Sequence, residues 1–156
     1  MIRVLFICHG NICRSPMAEF ICKDYVKKLG IADQFLIESA ATSREEIGNP
    51  VYPPARRKLA GVGISCQGKT ARQVTRQDYD TFDYLICMEG FNLRNLSRII
   101  PSDPEGKIYR LLDFTSKPGD IDDPWYTGDF DTTYDEILYG IEGLISYLRQ
   151  EKLLST

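Results

Sequence analysis

Residues 8 to 15 read Cys-His-Gly-Asn-Ile-Cys-Arg-Ser, a thiol and a guanidinium separated by five residues. A segment of that length can curl until its backbone N–H groups converge on one centre. Gly10 and Asn11 are the residues able to take the left-handed geometry that such curling needs. Converging N–H groups, a helix N-terminus and the fork of Arg14 together form a receptor for a tetrahedral oxyanion such as phosphate. The same positive field favours the thiolate of Cys8, the reactive form of a cysteine, and aims it at phosphorus. Ser15 brings a hydroxyl that can donate to that thiolate and help it leave in a second step. Arg14 would hold two equatorial oxygens as charge shifts in the transition state. Cys8 and Arg14 are thus the catalytic candidates, with His9, Gly10, Asn11, Ile12, Cys13 and Ser15 forming the binding loop.

That chemistry requires a strand ending at the thiol and a helix starting at the arginine. Ile2 to Ile7 is β-branched and aromatic, which predicts a buried strand. Ser15-Pro16 predicts a helix start with Ser at the N-cap and Pro at the first position, and Gly30 predicts its stop. The alternation continues with strands at 34–39, 83–88 and 107–112 and helices at 54–60, 92–100 and 132–149. Ile137, Leu138, Ile141, Leu144, Ile145 and Leu148 repeat at helical spacing in the last of these, which reads as a core helix. Strands alternating with helices predict a parallel sheet covered on both faces, with ligands at the carboxyl ends of its strands. Residues 115–129, polar and bearing Gly and Pro, form the one long loop, a common place for function.

The bulk composition narrows the classes. The 156 residues are 43% hydrophobic and 26% charged, which fits one domain spanning residues 1–156. No apolar run approaches the roughly 18 to 20 residues of a membrane span. The short apolar start lacks a signal peptide's cleavage site, so the expected compartment is the cytoplasm. Five cysteines make an odd count with no zinc spacing, and His9 is the single histidine, so reduced thiols and no metal are expected. A net charge of −3 speaks against non-specific nucleic-acid binding. Arg56, Arg57 and Lys58 read as a solvated helix face.

A thiol and an arginine at this spacing are a weak pattern alone, since a cysteine at a strand end is often a small buried hydrophobe. The context is what makes the pattern specific. CHGNICRSPMAE resembles the signature loop of the low-molecular-weight protein tyrosine phosphatases. The resemblance continues through SAATS (39–43), IGNP (47–50), ARQVT (71–75), DYLICM (83–88) and DDPWYTG (122–128), covering nearly the whole chain. It implies an α/β domain with a four-stranded parallel sheet flanked by helices, the phosphate-binding loop between the first strand and first helix, and no cofactor. The implied substrate is a tyrosine-phosphorylated protein or peptide.

Such a reaction needs an acid to protonate the leaving oxygen. With a single histidine in the loop, the residues leave Asp120, Asp122 and Asp123 as choices, all in the long loop. The resemblance selects Asp123, immediately before Pro124, with Asp122 as the fallback. Trp125 and Tyr126 are read as walls of a slot that admits a flat phenyl ring. The family carries aromatic residues at those two positions.

Departures from the family pattern fall at Glu45, where some members carry an aromatic residue, at Lys69, where some carry histidine, and at His9. They bear on peptide preference and not on the chemistry. An arsenate reductase would need a cysteine relay, for which Cys66 and Cys87 form no close pair. A protein arginine phosphatase carries threonine where this chain has Ile12. A non-catalytic phosphate-binding module would have lost the nucleophile or the acid. The resemblance also implies redox control, with Cys13 closing a disulfide onto oxidised Cys8.

Overall fold

The computed structural model describes residues 1–154, and the last two residues of the expected 1–156 domain lie outside the described residues. A parallel sheet forms the centre, with strands β1 (Ile2–Cys8), β2 (Phe35–Ala41), β3 (Tyr84–Cys87) and β4 (Ile108–Arg110) in the order β2-β1-β3-β4. Both faces of β1 are apolar because both are covered, as parallel strands require. Val4 and Phe6 point into a core shared with helices α1 (Arg14–Lys28), α2 (Pro53–Gly61) and α6 (Phe130–Gln150). Leu5 and Ile7 point the other way, into a core with Tyr79 of helix α3 (Arg76–Thr81) and Leu96 of helix α4 (Gly90–Leu96).

β1 pairs with β2 on one side and β3 on the other, so the chain reverses its winding direction at β1. At such a switch point the loops at the strand ends diverge and leave a crevice. The segment following Cys8 lies there. Helix α1 ends with Gly30 at φ +75°, its N–H on Lys27 C=O and that of Ile31 on Val26 C=O, the glycine-closed end expected from the sequence.

Three local expectations change. Ser15 is not the N-cap of α1: the helix begins at Arg14 with Cys13 as cap, and the Ser15 hydroxyl is taken up by the loop instead. Helix α3 was not foreseen. Its six residues are too few for a periodic signal, but Thr75 and Asp78 close a capping box at its start. The long loop contains one helical turn, α5 (Pro124–Thr127), with Asp123 as its N-cap and Gly128 at φ +71° as its end. Helix α6 lies so close to the turn at 111–114 that a Cβ at Gly140 would overlap Leu111. Its buried face of Ile137, Ile141, Leu144, Ile145 and Leu148 follows the predicted spacing.

Candidate active site

The loop from Cys8 to Arg14 curls as its composition suggests, but Asn11 and not Gly10 takes the left-handed backbone, at φ 59°. Asparagine tolerates that region because its short amide bonds locally. The curl brings the Asn11 N–H to 3.3 Å from Cys8 Sγ, and Ser15 Oγ lies 3.0 Å from the same sulfur. The first helical bond of α1 runs from Met17 N–H to Cys13 C=O, so the amides of Arg14 and Ser15 have no acceptor within the helix.

Donor counting and distance together favour Ser15 as the donor to the sulfur. The Asn11 amide nitrogen has two protons, and it donates one to Ser15 Oγ at 2.7 Å and one to Ser39 Oγ at 3.0 Å. Ser15, already an acceptor, has one proton of its own to place on the sulfur at 3.0 Å or on the Ala40 carbonyl at 3.5 Å, and the sulfur is the nearer. Ser39 in turn donates to the buried Glu19 carboxylate at 2.5 Å, which also pairs with Lys23 at 2.7 Å and Lys69 at 3.5 Å. The donors therefore diverge from the Asn11 amide, one arm ending on the Glu19 carboxylate and the other on the Cys8 sulfur. Burial pushes the Lys69 ammonium below the ordinary lysine range, although Glu19 works against that shift.

Arg14 is 2% exposed and held along one edge of its guanidinium. Nη1 donates to Glu89 at 2.6 Å and to the Ile121 carbonyl at 2.8 Å. Nη2 donates to Asp123 Oδ2 at 3.3 Å, and Nε is buried with no partner. Nε and Nη2 share the edge that grips a carboxylate or phosphate in bidentate fashion. Burial works against the Arg14 charge, but Cys8, Asp123 and the bonded Glu89 outweigh it and raise its proton affinity.

A cavity of about 270 Å³ opens over this edge, lined by Cys8, His9, Gly10, Ile12, Cys13, Arg14, Asp123, Trp125 and Tyr126, with Glu45 and Glu46 at its rim. Every expected site residue except Asn11 and Ser15 lines it, and those two lie beneath the loop, holding the sulfur. Of the three candidate aspartates only Asp123 lines the cavity. Asp120 is bonded to Arg110 and the Gly90 N–H, and the Asp122 side chain faces solvent. Asp123 Oδ1 accepts from the Trp125 N–H at 3.0 Å, which turns Oδ2 toward the cavity. His9 Nε2 meets Glu45 Oε2 at 2.9 Å across the rim. Burial pushes the Cys13 thiol well up, and the charges of Cys8 and Asp123 add to the shift. All five cysteines are free thiols.

Comparison with known proteins agrees with this geometry. The profile described as low molecular weight phosphotyrosine protein phosphatase matches residues 3–154. The chain belongs to that family. It is 42% identical to the low molecular weight protein-tyrosine-phosphatase YfkJ of Bacillus subtilis, over 99% of this chain and 100% of that one. It is 41% identical to the low molecular weight phosphotyrosine protein phosphatase of Rattus norvegicus, over 86% of this chain and 88% of the relative. The crystal structure of YfkJ superposes with a TM-score of 0.93, covering 97% of each chain.

Sequence reasoning missed the residues that serve the family's loop from a distance. Glu89, the Ile121 carbonyl and Ser39 contact it from other elements, and Glu19 reaches it through Ser39. Glu89 left one trace: it lies two residues past the end of β3, the strand next to β1, on the edge where ligands gather.

Proposed function

We propose that the protein hydrolyses phosphotyrosine in proteins and peptides through a phosphocysteine intermediate, the chain acting as a single domain. The observation that carries this is Arg14, whose anchored edge leaves Nε buried without a partner on the edge facing the cavity. A phosphate oxygen on Nε and a second on Nη2 would complete the fork and release Asp123 from Nη2.

In the first step the Cys8 thiolate attacks phosphorus, the bond to the phenolic oxygen breaks, and Asp123 gives that oxygen its proton. Arg14 and the loop amides take up the equatorial oxygens. In the second step the Asp123 carboxylate removes a proton from water, whose oxygen attacks phosphorus. The sulfur–phosphorus bond breaks, and the departing thiolate receives the hydrogen bond of Ser15. No metal takes part in either step. Trp125 and Tyr126, 52% and 85% exposed, are free to flank an aryl ring. Only a stem as long and flat as tyrosine's both fills that slot and reaches the loop, which separates phosphotyrosine from phosphoserine and phosphothreonine. Ile12, bulky and without a hydroxyl, speaks against phosphoarginine.

A peptide assay tests this. Release of phosphate should persist in chelator and favour phosphotyrosine over phosphoserine, phosphothreonine and phosphoarginine. Equal rates on phosphoserine, or a requirement for a divalent ion, overturn the reading. Five reduced cysteines support a place in the cytoplasm, where thiols stay reduced. The crowding of Cys8 and Cys13 in one loop supports a redox brake: peroxide oxidises Cys8 to a sulfenic acid, the Cys13 thiol condenses with it, and water leaves as the disulfide forms. Wild type should then recover with dithiol, whereas Cys13→Ser should be lost progressively to sulfinic acid.

A further inference from the structure

Asp123 and Arg14 stand 109 residues apart in the chain and meet through one bond of 3.3 Å. The acid sits at the start of α5, a single turn of four residues, far too short to hold a fixed position by itself. Its carboxylate is oriented by the Trp125 N–H at 3.0 Å, the shorter of its two bonds, so a shift of Trp125 moves the acid.

The Trp125 ring rests on Tyr52, with ring centroids 4.7 Å apart, and Tyr52 rests on Phe130 at 6.2 Å. Tyr52 is itself anchored to the phosphate loop. Its N–H donates to the Ile12 carbonyl at 2.9 Å, and its own carbonyl accepts from Arg56 N–H at 3.0 Å as the N-cap of α2. Pro50, Pro53 and Pro54 fix φ on both sides of it. One residue thus grips the nucleophile's loop through its backbone and the acid's loop through its ring.

We propose that Tyr52 is a positioning residue for the general acid: held by the phosphate loop, its ring sets Trp125 and thereby aims Asp123 at the leaving oxygen. The proposal rests on the reading of Asp123 as that acid. It asks of the ring only its face, and nothing of the hydroxyl.

A misplaced acid has a signature that a general loss of structure lacks. It hurts substrates with basic leaving groups and spares those whose leaving group departs unaided. The test compares kcat/KM, which reports the steps through departure of the leaving group, on phenyl phosphate and on p-nitrophenyl phosphate. Tyr52→Ala should lose about tenfold on phenyl phosphate and less than about threefold on p-nitrophenyl phosphate, a part of the roughly 10²- to 10⁴-fold an acid contributes. Tyr52→Phe should restore both rates, and inhibition by inorganic phosphate should stay unchanged in either variant. In an Asp123→Asn background, Tyr52→Ala should add no further discrimination between the two substrates. Should the alanine variant fail to fold, Tyr52→Leu fills the volume while removing the ring and is read in the same way.

An equal fall on both substrates, no fall at all, or failure of Tyr52→Phe to restore activity overturns the role of Tyr52. If Asp123→Asn itself does not discriminate between the substrates, the acid assignment is what has failed.

Discussion

Two loops in this molecule collect donors around a negative centre, and they differ in whose charge fills it. The turn at 103–108 encloses its own anion: Asp103 accepts from Tyr79 Oη at 2.7 Å, Lys107 N–H at 2.7 Å and Ile108 N–H at 3.1 Å, and Gly106 at φ +64° closes the turn. The loop at 8–15 has a comparable curl but leaves its strongest donor edge, Nε of Arg14, without a protein acceptor. A buried unpaired donor costs roughly 1–3 kcal/mol, more for a charged group. A fold that keeps such a site has reserved it for an anion from outside. The filled loop serves stability and the unfilled one serves chemistry.

The largest expected effect comes from removing the feature that makes the second loop reactive. Cys8→Ser should abolish turnover while leaving phosphate binding measurable by calorimetry, because the donors remain. The variant would then be a receptor only, and it would capture phosphoproteins. Loss of phosphate binding together with activity would mean that the sulfur, and not Arg14 with the amides, organises the loop. Next is Asp123→Asn, which should lower kcat/KM for phenyl phosphate by roughly 10²- to 10⁴-fold, the usual worth of general acid catalysis. Asp122→Asn should be nearly silent, since that side chain faces solvent outside the cavity. The reverse pattern would return the acid role to Asp122.

A smaller effect should follow from Glu89→Gln. The variant keeps an acceptor for Arg14 Nη1 but loses the charge, and hydrogen bonds to charged partners exceed neutral ones by about 1 kcal/mol. Phosphate inhibition should weaken by roughly fivefold to tenfold, as that energy implies, with little change in thermal stability. Unchanged phosphate affinity would mean that the Ile121 carbonyl alone anchors the guanidinium.

How much of this was legible follows from how local each part is. The strand, the loop and the helix that carry Cys8, Asn11, Arg14 and Ser15 lie within one short stretch, and their patterns are complete there. Asp123 was legible once the resemblance chose among three aspartates, since Asp-Pro opening a helical turn is itself a local signal. Tyr52 and Glu89 carried no such signal: their roles depend on partners 73 and 75 residues away, which only the packed fold brings near. The sequence overstated Gly10, because the backbone freedom it offers was needed one residue later, where Asn11 also supplies an amide to the network. It likewise misjudged Ser15, because a hydroxyl at a helix start can cap the helix or serve a neighbour, and here the sulfur is that neighbour.

The smallest effect tests the filled loop. Burial works to raise the Asp103 carboxyl, but Tyr79 and the amides of Lys107, Ile108 and Gly106 overcome it and hold the group below the ordinary carboxylate range. A carboxyl held low in the fold contributes stability that is present above its unfolded value, near 3.9, and is lost as pH falls through the lower folded value. Asp103→Asn keeps one acceptor oxygen but gives up the charge and an acceptor that the two amides need. At pH 7 it should cost about 1 kcal/mol, or roughly 2–4 °C in Tm for a chain of this size. The gap between variant and wild type should begin to narrow as pH drops below about 4 and close once pH is under the lower folded value, where the wild-type carboxyl is protonated as well. Activity on aryl phosphates should not change, since neither Asp103 nor its partners line the catalytic cavity. A pH-independent gap would mean that the oxygen's shape matters and its charge does not. A fall in activity at unchanged stability would break the comparison itself, because the filled loop would then be serving the unfilled one.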